Sequence, residues 1–362
     1  MYDSYSKWIR SHRDLPLRIN QWCNIVRWEV KDVKLFLRSR EFLWQEGHCV
    51  YATEEECDKE ALMILDEYEK LAKDLLAIPI IKGKKSEKEK FAGAKYTTTM
   101  EAFMPDGKFL QCATSHNLGQ GFAKAFGIKF KGEDEKEHLP WQTSWGFSTR
   151  LIGAIIMQHG DDKGLVLPPA IAPIQVAVVP ILFEKTKDET IKETEKIKKE
   201  LSDFDVKIDT REEYSAGWKF NQYEMKGVPL RIDIGPKDIE KDQVVLVRRD
   251  TSEKMFIKRK DLKQKVKETL EDIQQNLFKK AEENIKSNIV EVDNWDDFLK
   301  AVEKKKIILA PFCGNISCEE VIKDETKGAN SRCFPLNSKK TDKKCVKCGE
   351  PAQALAYFGK CY

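Results

Sequence analysis

The chain has 362 residues, of which 41% are hydrophobic and 34% charged. At ~150 residues per domain, that length predicts two or three domains with substantial cores, and the composition excludes a disordered chain. Lys and Arg number 63 against 60 Asp and Glu, a net charge of +3 that excludes a histone-like polycation and confines any nucleic-acid surface to a local patch.

The opening MYDSYSKWIRSHRDLP lacks the apolar core of a secretory signal. Residues 17–31 and 36–51 alternate apolar and polar positions, which predicts paired antiparallel strands across a short turn. Thr53 and Glu56 form a capping box, opening a helix whose apolar positions Ala61, Leu65, Tyr68, Ala72 and Leu75 keep the helical period. TTTMEAFMP and KFLQCATSH, joined at Asp106-Gly107, read as a β-hairpin. Residues 1–168 are therefore expected to form an α+β domain on an antiparallel sheet, not a doubly wound one. The uncharged stretch 164–183 has the length of a membrane span, but Pro168, Pro169, Pro173 and Pro180 break any spanning helix. It reads as a linker into a buried strand, so the chain is expected to be soluble, with no membrane association.

Across 170–285 the strands QVAVVPILF, FDVKID, VPLRIDIG and VVLVRRD alternate with the helices ETIKETEKIKKEL and GWKFNQYEMKG. That order predicts a small α/β domain with a mixed sheet, followed by a charged helix over about 259–284. Residues 286–362 are expected to hold a helix near 295–304, the strand KIILAPF and a cysteine cluster.

Cys23, Cys49, Cys57 and Cys112 are scattered, as free thiols of a reduced compartment are. The other six of the ten cysteines follow residue 310, whereas all five histidines precede residue 160, so a metal site near the C-terminus must be built from thiolates. Cys313 and Cys318 in PFCGNISC, with Cys345 and Cys348 in KCVKCG, supply two pairs on tight turns that suit tetrahedral zinc. The alternatives are free thiols or a redox pair, and Cys333 is a spare ligand. Four thiolates close the coordination sphere, which makes the expected zinc structural.

In FLRSREFLWQEGH, strand periodicity puts Phe42, Trp44, Glu46 and His48 on one face. Two aromatics, a carboxylate and an imidazole suit a small cation with an apolar body; a core face with a satisfied His and Glu is the alternative. Arg27 and Arg38 suit phosphate clamps, unless they are surface ion pairs. In SWGFSTRLIGAIIMQHG a helix is entered through Gly146 and Ser148. Arg150 falls in its first turn, where the helix dipole disfavours a cation, and such a residue answers to a negative partner when it is not simply exposed.

Together, NQWCNIVRWE, FLRSREFLWQEGH, the TSH triplet and WGFSTRLIG resemble motifs 2 and 3 of class II aminoacyl-tRNA synthetases, most closely the prolyl-tRNA synthetases of the eukaryotic and archaeal type. EYSAGWKFNQYEMKGVPLRIDIGPKD resembles that family's anticodon-binding domain, and the resemblance continues through the four-cysteine tail to GKCY. It implies a class II catalytic core (1–168, motifs 2 and 3), an α/β anticodon-binding domain (170–285) and a zinc-binding α+β domain (286–362). The family's motif 1 and a Thr-x-Glu loop that contacts proline precede the residues resembling MYDSYSKW. The expectation is thus an N-terminally incomplete core, with homodimerisation doubtful and a non-catalytic tRNA-binding or regulatory fragment as the alternative function.

The implied reaction is ATP-dependent activation of L-proline and its transfer to tRNA(Pro), in the cytoplasm, with Mg2+ and structural Zn2+. By resemblance, Arg27 bridges the α-phosphate and the prolyl carboxylate, and Arg150 meets the γ-phosphate and adenine. Glu29, Arg38, Gln111, Thr114 and Ser148 complete the ATP contacts, with Gln111 near magnesium. Phe42, Trp44, Glu46, His48, His116 and Trp145 match the proline pocket. Lys219, Arg231 and Lys237 are the candidates for reading the anticodon. The bacterial type inserts a hydrolytic editing domain between motifs 2 and 3; the span from Glu46 to Trp145 leaves no stretch for one.

Overall fold

The computed structural model describes residues 1–29 and 33–362. The chain divides into two compact units: Met1–Leu71, Pro79–Ala154 and Asn284–Tyr362 form the first, and Ala72–Ile78 with Ile155–Glu283 the second.

The first unit opens with α1 (Tyr2–Trp8), followed by β1 (Leu17–Val26) paired antiparallel with β2 (Glu41–Tyr51). Both strands are shorter than their alternation predicts. Arg27–Glu29 and Phe36–Arg40 are not strand, and positions 30 and 31 lie outside the described residues. The expected capping box is present: Thr53 Oγ1 accepts the Glu56 N–H at 3.3 Å, and the Glu56 carboxylate accepts the Thr53 N–H at 3.2 Å. It opens α2 (Glu54–Lys70), which buries Ala61, Leu65 and Tyr68, whereas Leu75, expected on the same face, is exposed.

The antiparallel strands β3 (Ile81–Lys84), β4 (Tyr96–Phe103) and β5 (Phe109–Gly119) follow. The turn between β4 and β5 holds Gly107 at φ +83°, a conformation glycine adopts without steric cost. After α3 (Gly121–Ala125) and a two-residue hairpin, β6 (Phe130–Lys131) and β7 (Glu137–His138), β8 (Trp141–Ser148) inserts between β2 and β5. The sequence predicts a helix entered through Gly146 and Ser148. Pairing of Ser148 with Trp44 and of Gly146 with Thr114 instead keeps the chain extended, and α4 (Arg150–His159) begins only after Thr149.

The second unit carries the expected mixed sheet. Its elements are β9 (Val176–Pro180), α5 (Lys187–Glu200), β10 (Val206–Ile208), α6 (Ala216–Met225) and β11 (Leu230–Ile234). They continue as α7 (Pro236–Glu240), β12 (Gln243–Arg248), β13 (Lys254–Lys258) and the charged helix α8 (Leu262–Asn288). Strand order is β10-β9-β11-β12-β13, with the first three parallel and the rest antiparallel. Pro180 closes β9, the fully buried strand into which the uncharged linker leads. Val176, Val178, Ile197, Ile232, Leu246 and Val266 form the core.

The chain then returns to the first unit through β14 (Ile289–Glu291), α9 (Trp295–Glu303), β15 (Ile307–Phe312), α10 (Ile316–Glu325), β16 (Ala329–Pro335) and β17 (Ala354–Lys360). Phe334 of β16 pairs with Lys84 of β3, producing one ten-stranded sheet, β1-β2-β8-β5-β4-β3-β16-β17-β15-β14. The cysteine-bearing tail therefore shares a sheet with β2 and β8, the strands of FLWQEGH and WQTSWGFS. Among the described residues, no helix is long and apolar enough to cross a membrane.

Candidate functional site

The strands β2, β5 and β8 line a cavity of about 430 Å³ in the first unit, within the range of small-molecule sites. Alternation along β2 turns Phe42, Trp44, Glu46 and His48 to it, and β5 adds Gln111, Thr114 and His116. Trp145 and Ser148 come from β8, Arg150 from the start of α4, and Arg27 from the end of β1. Gly47 makes room for Trp145: a Cβ there would lie 2.1 Å from the indole ring. The Trp145 ring N–H is buried and has no acceptor among the described residues.

One end of the cavity is cationic. The Arg27 guanidinium lies 5.4 Å from the centres of both the Phe42 and Trp44 rings. Arg150 donates to the carbonyls of Leu37 at 3.0 Å and Gln111 at 3.1 Å, so backbone dipoles hold it where the helix dipole alone disfavours a cation. Burial and the nearby guanidinium groups of Arg38 and Arg27 lower its pKa, which marks a site short of negative charge. Arg38 itself is exposed and lies outside the lining, as does Glu29. The neighbouring Trp28 is 83% exposed.

The other end carries acceptors and aromatic rings. His48 Nε2 lies 3.0 Å from the Glu46 carboxylate, and the Tyr2 hydroxyl 3.1 Å from His48 Nδ1. The second Glu46 oxygen accepts from the Gln21 amide. His116 is fixed between Thr97 at 2.9 Å and Thr114 at 3.0 Å. Burial and then the neighbouring His48 push its pKa down to about 4, so it is neutral near pH 7. Lys85, Glu89, Phe91 and Thr97 also line the cavity, and sequence reasoning missed all four. The first three lie in KGKKSEKEKF, whose charge run resembles a solvated surface, and Thr97 sits unremarked in the β4 half of the hairpin.

Of the three residues assigned to the anticodon, Lys219 is 2% exposed, and its ammonium donates to the Asp209 carbonyl at 3.1 Å. That buried position is a correction: it braces its own unit instead of facing a ligand. Arg231 bonds Asp233 at 2.7 Å, packs 4.1 Å from the Phe220 ring centre, and lines a cleft of about 250 Å³ with Glu224, Arg248 and Lys254. Lys237 is exposed on α7.

The sulfurs of Cys313, Cys318, Cys345 and Cys348 all lie within 4.8 Å of one another. Cys318 and Cys345 are 3.8 Å apart, and Cys313 and Cys348 3.6 Å. Burial raises the Cys318 thiol. It would raise Cys345 too, but backbone groups of Cys348, Lys347 and Cys313 turned on its sulfur bring it down. Four such thiols fit a tetrahedral metal. Cys333 packs elsewhere, among Ile81, Phe103, Phe109 and Ile307, and is no ligand of this cluster.

Three family models match the chain: the tRNA synthetase class II core domain (G, H, P, S and T) over residues 1–159, an anticodon-binding domain over 175–269, and the prolyl-tRNA synthetase C-terminal domain over 295–362. A proline–tRNA ligase of Natranaerobius thermophilus is 53% identical over 96% of this chain and 72% of its own length. The cytoplasmic proline–tRNA ligase of Arabidopsis thaliana is 48% identical over 100% of the chain and 70% of its own. The bifunctional glutamate/proline–tRNA ligase of Mus musculus is 46% identical over 100% of the chain and 26% of its own.

Proposed function

The chain belongs to the proline–tRNA ligase family, and from that premise we propose how its cavity activates proline. The overall reaction is ATP-dependent joining of L-proline to tRNA(Pro). In the first half, a proline carboxylate oxygen attacks the α-phosphorus of ATP, the bond to the bridging oxygen breaks, and diphosphate leaves. In the second half, a hydroxyl at the 3′ end of the tRNA attacks the activated carbonyl and releases AMP.

The observation that carries this reading is the polarity of one cavity. Arg27 and Arg150 stand where phosphate oxygens gain charge, and pre-placed cations stabilise that charge in the transition state. Phe42, Trp44 and Trp145 supply flat walls for the pyrrolidine ring. Glu46, with His48 and His116, faces its amine. Gln111, Thr114 and Ser148 position the nucleotide. Gln111 would lie near a bound magnesium ion, which would offset phosphate charge. No protein nucleophile is needed, so positioning and electrostatics dominate.

Zinc in the thiol cluster is supported by four convergent sulfurs, and in that closed set its part is structural. A cytoplasmic location is supported by the Arabidopsis relative, whose name places it there. Reading of the anticodon by the second unit is supported by the anticodon-binding domain match over residues 175–269 and by the exposed Lys237. The alternative of a non-catalytic tRNA-binding or regulatory protein is not favoured, because the similar proteins are named as ligases. The deciding experiment is ATP–diphosphate exchange with single amino acids. Exchange that depends on proline supports the reading; exchange with another amino acid, or none while tRNA still binds, overturns it.

A further inference from the structure

Two buried carboxylates carry the C-terminal stretch onto the cavity wall. Glu319 lies on α10, directly after Cys318, with no solvent exposure. One of its oxygens accepts the Ser86 hydroxyl at 2.7 Å, and the other accepts the N–H of Ser331 at 3.2 Å and its hydroxyl at 2.5 Å. Ser86 in turn starts a tight turn: its hydroxyl accepts the Glu89 N–H at 3.2 Å, and its carbonyl the Lys90 N–H at 2.9 Å. One residue earlier, Lys85 donates to Glu101 at 2.7 Å, and Glu101 also takes Arg332 at 2.7 Å. On the outside, Lys88 meets Glu320 at 3.5 Å.

The segment 85–91 is thus held at two points by α10 and at a third by Glu101 of β4, which also takes Arg332 of β16, and it presents Lys85, Glu89 and Phe91 to the cavity. The Phe91 ring centre lies 5.0 Å from that of His116. Of the three ties, the one through Glu319 bears on the turn that aims Glu89 and Phe91. A carboxylate this deep is tolerated only while every oxygen has a donor, so Ser86 has one favourable position relative to α10.

We propose that Glu319 is a positioning residue for proline activation: through Ser86 it sets the 85–91 turn so that Glu89 and Phe91 close the amine end of the cavity. The inference rests on reading that end as the proline site. The effect is indirect, because Glu319 itself does not line the cavity.

The test uses the whole chain with Ser86→Ala, Glu319→Ala, the double variant, and Glu319→Gln, which keeps a polar group facing Ser86. Ser86→Ala and Glu319→Ala should each raise KM for proline roughly tenfold in ATP–diphosphate exchange, as small misplacements of binding groups do. KM for ATP should stay unchanged. The double variant should match the singles, because both break one link, and Glu319→Gln should restore much of the loss. Hydrogen exchange at the Glu89 and Lys90 amides should accelerate in both single variants. Unchanged amide exchange overturns the positioning, and so does a lower kcat and melting temperature with KM intact. Ser86→Ala leaves α10 untouched, so it decides the matter if Glu319→Ala fails to fold. A parent chain without proline-dependent exchange would overturn the functional reading instead, while the amide measurement still judges the turn.

Discussion

Arg332 and Glu101 stand 231 positions apart in the chain and 2.7 Å apart in the fold. Burial alone would raise the Glu101 carboxyl, but Lys85 and Arg332 bring it down to about 2. The triad joins β16 to β4 beneath the cavity. Removing one member of such a buried set leaves uncompensated charge and costs about 3–5 kcal/mol. Glu101→Gln should therefore lower the urea midpoint strongly. Because the folded pKa lies below the unfolded one, the stability Glu101 contributes is complete above about pH 5 and disappears as pH falls toward 2. Acid titration of the Glu101→Gln variant should lack that component, and an identical acid limb in both proteins would count against the triad.

On the proposed reading, Arg27→Ala removes a cation that faces the α-phosphate. The expected loss in the proline-dependent exchange rate is on the order of 10²–10³, with little change in melting temperature, since Arg27 packs only on the edge of the cavity. An unaltered rate would mean that the phosphates bind elsewhere.

His116 sits neutral among two threonine hydroxyls, with a pKa of about 4. Proline, bound as a cation at the amine, should not sense this group above about pH 5, and should bind more weakly as pH falls through about 4, where a second positive charge appears. Calorimetric titration of proline into the parent and into His116→Asn across that window isolates the contribution. If the two lose affinity in parallel, the neutral His116 is not what the amine meets.

Zinc bound by four thiolates is folding free energy, on the order of 10 kcal/mol in small structural sites. Cys345→Ser should abolish stoichiometric zinc and lower the melting temperature of the first unit, with activity lost only as a consequence. Metal analysis of reduced, chelator-free protein that finds no zinc would remove the site.

The ~100 positions between Glu46 and Trp145, roughly the size of a whole small domain, hold the rest of β2, α2, β3 to β7 and α3. A proline pocket rejects alanine by only ~1–3 kcal/mol, because few methylenes differ. With that interval already filled by elements of the core, mischarged alanyl-tRNA(Pro) should persist beside the purified protein until a separate deacylase is added. Rapid hydrolysis by the chain alone would contradict this.

Local physics made much of the molecule legible in advance. Period-two alternation along FLWQEGH put Phe42, Trp44, Glu46 and His48 on one face, because a strand has no other way to arrange them. The Thr53–Glu56 box and the turn at Gly107 are each settled within four residues, and thiol spacing was enough to suggest a closed metal set. Tertiary structure alone decided what long-range pairing controls. Lys219 reads as an exposed cation and is buried on Asp209. Cys333 reads as a spare ligand and is packed apart from the cluster. Arg38 and Glu29 fall outside the lining, although Arg27 beside them reaches it. KGKKSEKEKF reads as a solvated charge run, yet Glu319 and Arg332, more than 200 positions away, turn it into a cavity wall. A charge shows its burial only once its partner arrives, and no local period in the sequence encodes a partner that distant.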